Sequence, residues 1–302
     1  MSNILKIVLA IAGALMAIVV VAVIVVVVSS NGVLNETYDV EVAAISIPTD
    51  AESLAEGERL TWTWGCWHCH GEDLGGQEFL DDGAIGYLYA TNLTGAPGSP
   101  TESYDTLDWI GAIRHGIKPD NSSIVIMPSY EYTFMTDEDL GRMVAYLESL
   151  EPIEREASAS ESWGPVGRML LLAGELPVSA ALINHDAERL ASLEPAATVE
   201  YGEYLAVGCE GCHGTNYSGG PLPGGTDLPP APNLTPTDDG LADWTLEEFT
   251  LAMREGVSRD GSGLNPVHMP WPGYAFYTDV EMEAIWLFLQ DLPPLAYNTP
   301  TE

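Results

Sequence analysis

The sequence predicts a mostly α-helical protein in which an N-terminal transmembrane helix is followed by two tandem copies of one small helical domain. Three observations support this prediction. An uncharged apolar run lies near the start of the chain, a set of short motifs occurs twice in the same order, and no segment shows a sustained alternation of polar and apolar residues. The 302 residues suffice for about two ordinary domains.

The apolar run Ile7–Val28 contains 22 residues, enough to cross the hydrocarbon core of a bilayer as a helix. A cleaved signal peptide is the alternative, but its apolar region is usually about 7–15 residues long. Lys6 precedes the run and acidic residues follow it, so the positive-inside rule keeps the N-terminus in the cytoplasm. We expect a single-pass anchor (1–30) in the inner or cytoplasmic membrane, then a polar tether (31–48), with the body of the chain on the extracytoplasmic side.

The repeat appears when two cysteine clusters, Cys66–His70 and Cys209–His213, are aligned with an offset of 143 residues. Further motifs then pair at offsets of 140 to 143: Asn92-Leu93-Thr94 with Asn233-Leu234-Thr235, Arg114-His115-Gly116 with Arg254-Glu255-Gly256, Met127-Pro128 with Met269-Pro270, and Tyr132 with Tyr274. This pattern indicates a duplicated unit of about 100 residues. We place the units at 49–152 and 196–296, joined by a connector (153–195) and followed by a tail (297–302), and expect each to have its own core.

Each unit is predicted to be helical around its motifs. One helix leads into the cysteine cluster, a second covers 107–115 and 245–255, and a third follows Thr136 and Thr278. Thr245 with Glu248 forms a capping-box pattern, and Gly116 and Gly256 suit helix C-termini. The segments 71–98 and 214–240 are rich in Gly, Pro and Asn and are predicted to be loops without a sheet. Residues 151–162 are expected to form a charged linker, and 166–183 a surface or interdomain helix.

The two clusters have the form Cys-x-x-Cys-His, which is the attachment motif of c-type haem. Two thiols on one tight turn can add to the two vinyl groups of a porphyrin, and the adjacent His reaches the iron. A zinc site would need four ligands, a thioredoxin-type dithiol would need a strand–helix context, and a structural disulfide gives no role to the His. The motifs therefore predict two covalent haems on Cys66, Cys69, His70 and on Cys209, Cys212, His213.

Each haem also needs a sixth ligand or an open site. Met127 lies 57 residues after His70 and Met269 lies 56 residues after His213, each followed by Pro. This paired placement predicts that both thioethers ligate iron, which raises the reduction potential and leaves no vacancy for oxygen or peroxide. His115 in the first unit and His268, beside Met269, in the second are the alternative ligands within reach, but His115 has no His at its repeat partner, Glu255, and is expected at the surface. His68 is expected to stay inside the cysteine turn, and His185 to pack in the connector or lie at the surface.

These residues carry a family resemblance. Each unit resembles a class I cytochrome c domain, and the chain from about 49 to 296 is similar to membrane-anchored dihaem cytochromes c. That group includes the cytochrome subunits that accept electrons from periplasmic alcohol and nicotinate-type dehydrogenases. The resemblance implies that Asn92, Asn233, Tyr132 and Tyr274 pack beside the haems. The chain departs from the alcohol dehydrogenase subunits in having two haem units rather than three and an N-terminal anchor.

The predicted function is electron transfer between respiratory or dehydrogenase partners rather than catalysis. A dihaem peroxidase or a thiosulfate-oxidising cytochrome is the alternative, but such enzymes need an open or thiolate-ligated haem. The chain has 10 Lys and Arg against 45 Asp and Glu, a net charge of −35, which argues against binding nucleic acid or anionic lipid headgroups. Two explanations of this acidity remain open: a basic redox partner, and an acidic proteome typical of a saline habitat.

Overall fold

The computed structural model describes residues 2–155, 161–222 and 229–300. Parts of the predicted linker (156–160), second loop (223–228) and tail (301–302) lie outside the described residues. The helices are α1 (Asn3–Leu34), α2 (Ala51–Thr63), α3 (Cys66–His70), α4 (Thr106–Ile110), α5 (Ser129–Tyr132), α6 (Asp137–Ser149), α7 (Pro165–Ala173), α8 (Val199–Ala206), α9 (Glu210–His213), α10 (Leu246–Glu255), α11 (Trp271–Tyr274) and α12 (Asp279–Asp291). The strands are β1 (Gln77–Asp82), β2 (Gly86–Ala90) and β3 (Ser162–Trp163). The predicted mostly helical class is confirmed.

The helix α1 is long and apolar enough to cross a membrane, with a mean hydropathy of 3.3 over 18 residues and none of that window buried. Ser2 caps the N-terminus of α1, because its side chain accepts a hydrogen bond from the backbone N–H of Leu5 at 3.3 Å. Its last two turns are not fully exposed, because Ser30 is buried and neighbouring positions are half-buried. The end of α1 is therefore in contact with the body of the protein.

The predicted caps are present in both units. Thr136 and Thr278 accept hydrogen bonds from the backbone N–H groups three residues ahead, at 3.1 and 3.2 Å. Thr245 and Glu248 form the expected capping box at the start of α10. Gly116 and Gly256 end their helices with φ of 63° and 65°, a conformation that costs glycine little. The predicted helix over 107–115 is correct in extent, but its second half, 111–115, is a π-helical turn.

Within each unit the first helix crosses the last one closely at a glycine. A Cβ at Gly57 of α2 would lie 2.1 Å from the backbone oxygen of Arg142 in α6. A Cβ at Gly202 of α8 would lie 1.9 Å from the backbone oxygen of Ala284 in α12. The duplicated sequence thus builds the same helix crossing twice.

The prediction that segment 71–98 contains no sheet is wrong. Strands β1 and β2 form an antiparallel hairpin with a bulge between Glu78 and Leu80, and β3 from the connector adds a third strand. The sequence shows no alternation here because β1 is almost entirely exposed, so neither of its faces needs to be apolar. The third strand comes from more than seventy residues away, a pairing that no local pattern reveals.

The segment expected to be a tether packs along the first unit. The backbone N–H of Tyr38 donates to the carbonyl of Asn121 at 2.9 Å. Val42, Ile45 and Ile47 are partly buried against the hydrophobic core. Ser46 passes so close to α6 that a Cβ on Gly141 would lie 2.3 Å from its carbonyl oxygen. The apolar side chains of this segment therefore pack on the first unit, a contact that its prediction as a polar tether did not include.

The expectation of separate cores is also wrong, because buried side chains of both units form one continuous cluster. At the junction Trp62 stacks on Phe276, with ring centroids 4.8 Å apart, and Trp64 meets Tyr204 edge-on at 5.8 Å. The aromatic residues that flank each cysteine turn pack on the opposite unit, so the two cores merge there.

Two polar contacts fasten the junction at equivalent places in the repeat. The guanidinium of Arg59 in α2 donates to both carboxylate oxygens of Glu281 in α12, at 2.7 and 2.9 Å. The hydroxyl of Tyr204 in α8 donates to Asp139 in α6 at 2.6 Å. Asp139 and Glu281 are both the third residue of their helix, so the two contacts are related by the duplication. The units therefore face each other with approximate two-fold correspondence.

Candidate haem centres

The first cysteine motif forms the short helix α3, which places its thiols and imidazole around one opening. Cys66 and Cys69 are half-buried. The Nδ1–H of His70 donates to the backbone carbonyl of Thr91 at 2.6 Å, since a carbonyl can only accept. The contact fixes the ring and the tautomer, and it leaves the lone pair of Nε2 available to a metal.

A cavity of about 620 Å³ adjoins this motif and reaches the predicted sixth ligand. Cys66, Cys69 and His70 line it, and so do Met127 and Pro128. Its other walls are mainly apolar and aromatic, and include Leu88, Tyr89, Leu93, Trp109, Ile113 and Tyr132. The lining also contains the cations Lys118 and Arg155 and the carboxylate Glu161, and Arg155 is paired with Asp73. These residues fit a porphyrin with two thioether attachments, one imidazole and one thioether ligand.

The second motif repeats this arrangement in α9 and the turn before it. The Nδ1–H of His213 donates to the backbone carbonyl of Pro232 at 2.8 Å, and the ring is buried. Cys209 is half-buried and Cys212 is exposed. Met269 is partly buried and packs against the hydrophobic core. The imidazole geometry thus recurs in the second unit, with the same free Nε2.

The Asn-Leu-Thr motifs lock the loops that carry the two accepting carbonyls. The Oδ1 of Asn92 accepts hydrogen bonds from the backbone N–H and hydroxyl of Thr94, at 2.9 and 2.7 Å. Its amide donates to the carbonyl of Ile153, just beyond α6, at 2.9 Å. Asn233 makes the same contacts with Thr235 and with the carbonyl of Leu295. Both asparagines are buried. Each therefore fixes the residue before it, Thr91 or Pro232, against its histidine.

Before the haems are attached, burial governs the protonation of both motifs. It raises the pKa of the Cys66 thiol to about 12, with a smaller contribution from Cys69, and it raises that of Cys209 to about 12, with a smaller one from Cys212. It also lowers the pKa of His70 and His213, which favours the neutral imidazole that can bind a metal.

The two tyrosines that follow the Met-Pro motifs lie next to the cysteine turns. Burial raises the pKa of Tyr132 and Tyr274 well above the ordinary value, with further contributions from the nearby cysteines of the same unit. Tyr132 meets Trp64 edge-on at 6.2 Å. Tyr132 also lines the first cavity.

The histidines other than His70 and His213 are placed differently from one another. The prediction that His115 lies at the surface is wrong: it is 6% exposed, and its Nδ1 lies 3.1 Å from Nδ1 of His185 in the connector. The sequence hid this contact because the two residues are 70 positions apart. His185 is packed, as one of the two expectations stated, and His68 is exposed.

Several residues around the two cysteine motifs were not found from the sequence. The carbonyls of Thr91 and Pro232 are backbone groups, and their only sequence marker is their position before Asn-Leu-Thr. Phe79 comes from the hairpin, and Trp163 comes from β3. These two reach the cavity through the sheet, which the sequence did not predict.

Comparison with known proteins agrees with the arrangement of the two units. The cytochrome c family matches twice, over residues 54–151 and 199–293. Over 110 residues the chain is 34% identical to the cytochrome c subunit of a quinone alcohol dehydrogenase from Gluconobacter oxydans, which covers 33% of this chain and 23% of that subunit.

Two longer similarities cover both units. The chain is 25% identical over 233 residues to a dihaem cytochrome c-type protein of Cereibacter sphaeroides, covering 68% of this chain and 74% of that one. It is 26% identical over 287 residues to a quinone alcohol dehydrogenase cytochrome c subunit of Gluconacetobacter polyoxogenes, covering 83% of this chain and 59% of the subunit. The matched stretch thus spans less than two thirds of either alcohol dehydrogenase subunit. Because both family matches fall on the Cys-x-x-Cys-His units, the chain belongs to the cytochrome c family and carries two covalently bound haems c.

Proposed function

We propose that this protein is a membrane-anchored electron carrier that serves as a cytochrome subunit of a dehydrogenase or respiratory complex. In this proposal Cys66 and Cys69 attach the first haem, and Cys209 and Cys212 attach the second. His70 and His213 are the proximal ligands, and Met127 and Met269 the sixth ligands. Relatives that are cytochrome subunits of quinone alcohol dehydrogenases support the role.

The observation that carries the proposal is the first cavity, which has a fixed imidazole and a methionine in the same lining. A bound haem supplies a one-electron iron couple. The chain's own contribution is to hold this group in a nearly fixed geometry. Thr91 orients His70, Asn92 fixes Thr91 in its loop, and the apolar lining excludes water. Little rearrangement is then needed when an electron arrives or leaves.

The same proposal places the haem units outside the cytoplasm and assigns protein partners of opposite charge. The helix α1 can span a membrane, and Lys6 before its apolar run favours a cytoplasmic N-terminus. The net charge of −35 would steer a basic redox partner toward the haem units, with an association rate that falls as salt increases.

Methionine ligation separates a carrier from an enzyme and can be tested at both sites. We expect the wild-type ferric haems to be low-spin with the sulfur-to-iron band at the red end of the spectrum, and the ferrous haems to bind carbon monoxide poorly, because the thioethers occupy the sixth position. Met127→Ala should open the first haem alone, and Met269→Ala the second. Each single variant should therefore bind about one carbon monoxide per two haems.

Leu107→Ala, at an exposed position of α4, is a control that should leave the spectra unchanged. Carbon monoxide binding or peroxide turnover by the wild-type protein would favour the dihaem enzyme instead. A sulfur band that persists in the double methionine variant would show that the ligands are misassigned.

The anchor is tested by fractionation. The 22 apolar residues of Ile7–Val28 should keep the protein in the membrane fraction through washes with concentrated salt, whereas detergent should release it. Replacing residues 1–30 by a cleavable export signal should give a soluble dihaem protein. Recovery of the native protein in the soluble fraction, with its N-terminus near residue 30, would contradict the anchor.

A further inference from the structure

The connector helix α7 contacts the C-terminal end of α1. Residues 2–25 are exposed throughout, whereas Val26, Val27, Ser30, Val33 and Leu34 are half-buried or buried on one side of α1. Helix α7 packs on this end of α1. The side chain of Arg168 in α7 donates to Ser30 Oγ at 2.6 Å and to Asn31 Oδ1 at 2.8 Å.

These contacts set the depth of α7 relative to a bilayer. The run Ile7–Val28 is about 33 Å long as a helix, close to the roughly 30 Å of a hydrocarbon core. Ser30 lies two residues beyond the run, which is about 3 Å along the axis. Val26 and Val27, which are half-buried, lie inside the run. If α1 spans the membrane, α7 is therefore level with the boundary between acyl chains and headgroups.

One face of α7 is apolar and exposed. Val166, Met169 and Leu172 recur every three residues and are 37%, 51% and 39% exposed. Gly167 and Leu171, on the other side, are buried. Arg168 is the one charged residue of α7, in a chain that carries a net charge of −35. This helix is thus free of the acidic groups that would be repelled by a membrane surface.

We propose that α7 lies in the membrane interface beside α1, with Val166, Met169 and Leu172 in contact with lipid. The inference rests on the proposed anchor. A short helix with an apolar face suits the region between headgroups and acyl chains, where such faces sink about 5–10 Å. The occupant of this face is the bilayer itself, because the spanning helix that α7 packs on brings lipid to the same height.

The consequence of this position is that the first haem unit is held next to the membrane. The backbone N–H groups of Gly164 and Val166 donate to the carbonyls of Ile85 and Ala84, both at 2.9 Å, so the tip of the β1–β2 hairpin fastens the start of α7. Trp163, one residue before the N-cap of α7, lines the first cavity. The first haem is then the one that faces membrane-bound electron donors or acceptors.

The test uses spin labels on single cysteines introduced into the full-length holoprotein. The native cysteines carry the haems, so an introduced cysteine is the free thiol. Leu172→Cys on α7 is compared with Leu251→Cys on α10 of the second unit, since both positions are leucines with 39% exposure. Ile18→Cys in the middle of the apolar run reports on the anchor itself. The labelled proteins are reconstituted in phosphatidylcholine vesicles, and relaxation by oxygen and by a water-soluble nickel chelate is measured relative to the same sample without either relaxant.

We expect the ratio of oxygen to nickel accessibility to be several-fold higher at 172 than at 251, and highest at 18. Equal, aqueous ratios at 172 and 251 with a lipid-buried label at 18 would overturn the inference, leave the anchor intact, and assign the α7 face to a protein partner. An aqueous label at 18 would overturn the anchor and the inference together.

Discussion

At the scale of single residues, Glu131 is placed where its charge is unfavourable. It follows Met127-Pro128 in α5 and reaches the cysteine turn of the other unit, where a Cβ on Gly211 would lie 2.6 Å from its Oε1. Burial, followed by the charge of Glu210, raises the pKa of Glu131 to about 7. The carboxyl is therefore protonated at mildly acidic pH at the junction of the units.

This raised pKa predicts a pH dependence of stability. Between about pH 4.5 and 7 the folded chain holds this proton and the unfolded chain does not, so the free energy of unfolding should fall as pH rises. The decrease attributable to Glu131 should be about 3 kcal/mol at most. Glu131→Gln should flatten the decrease, as measured by urea unfolding from pH 5 to 8.

A second variant tests the contribution of the neighbouring charge to the raised pKa of Glu131. Glu210→Gln removes the neighbouring charge, so the pKa of Glu131 should drop and the decrease should move to lower pH. If the pH profile of Glu131→Gln coincides with that of the wild type, the carboxyl does not control stability in this range.

At the scale of elements, the close crossings of α2 with α6 and of α8 with α12 depend on glycine. A methyl group on Gly57 would meet a backbone oxygen of α6 at 2.1 Å, and a backbone cannot move aside as a side chain can. Gly202 has the same relation to α12. The duplicated unit thus requires a small residue at this point in each first helix.

Gly57→Ala should destabilise the protein although alanine is the better helix former. Overpacking costs about 1–3 kcal/mol, while the gain in helix propensity is about 1 kcal/mol. Gly83→Ala is the control, because nothing lies within 4 Å of a Cβ there and its φ is ordinary; it should be neutral or slightly stabilising. Thermal unfolding of both variants measures the difference. Equal melting temperatures would contradict the crossing.

At the scale of the whole molecule, the two units share a core and polar contacts, so we expect them to unfold together. The pair Arg59–Glu281 is one such contact, with the Glu281 side chain only 4% exposed. Removing one partner of a buried pair leaves the other charge without compensation. The junction should therefore be sensitive to a single substitution far from either haem motif.

Arg59→Ala should lower the free energy of unfolding by about 3 kcal/mol. Arg259→Ala is the control: its pair with Glu248 is a surface contact at 44% and 35% exposure, worth less than about 1 kcal/mol. Urea is the denaturant of choice because it does not screen charges. Equal losses for the two variants would show that the junction does not contribute to stability.

Local features were determined by the sequence itself. The cofactor follows from two Cys-x-x-Cys-His motifs, the duplication from the order of its motifs, and the caps at Thr136, Thr245 and Thr278 from side chains that bond the backbone within one turn. Such features are readable because chemistry and periodicity act over a few residues. The axial methionines were proposed in the same way, from their repeated spacing.

Tertiary structure alone decided which distant segments meet. The hairpin pairs with a strand from the connector, the tether packs on α6, His115 meets His185, and Arg59 reaches Glu281 across 222 positions. These contacts follow from the shape of packed surfaces and from the burial of polar partners, which leave no pattern in a single chain. The sequence thus determined the cofactor and the repeated unit, whereas packing decided how the two units and the membrane helix are joined.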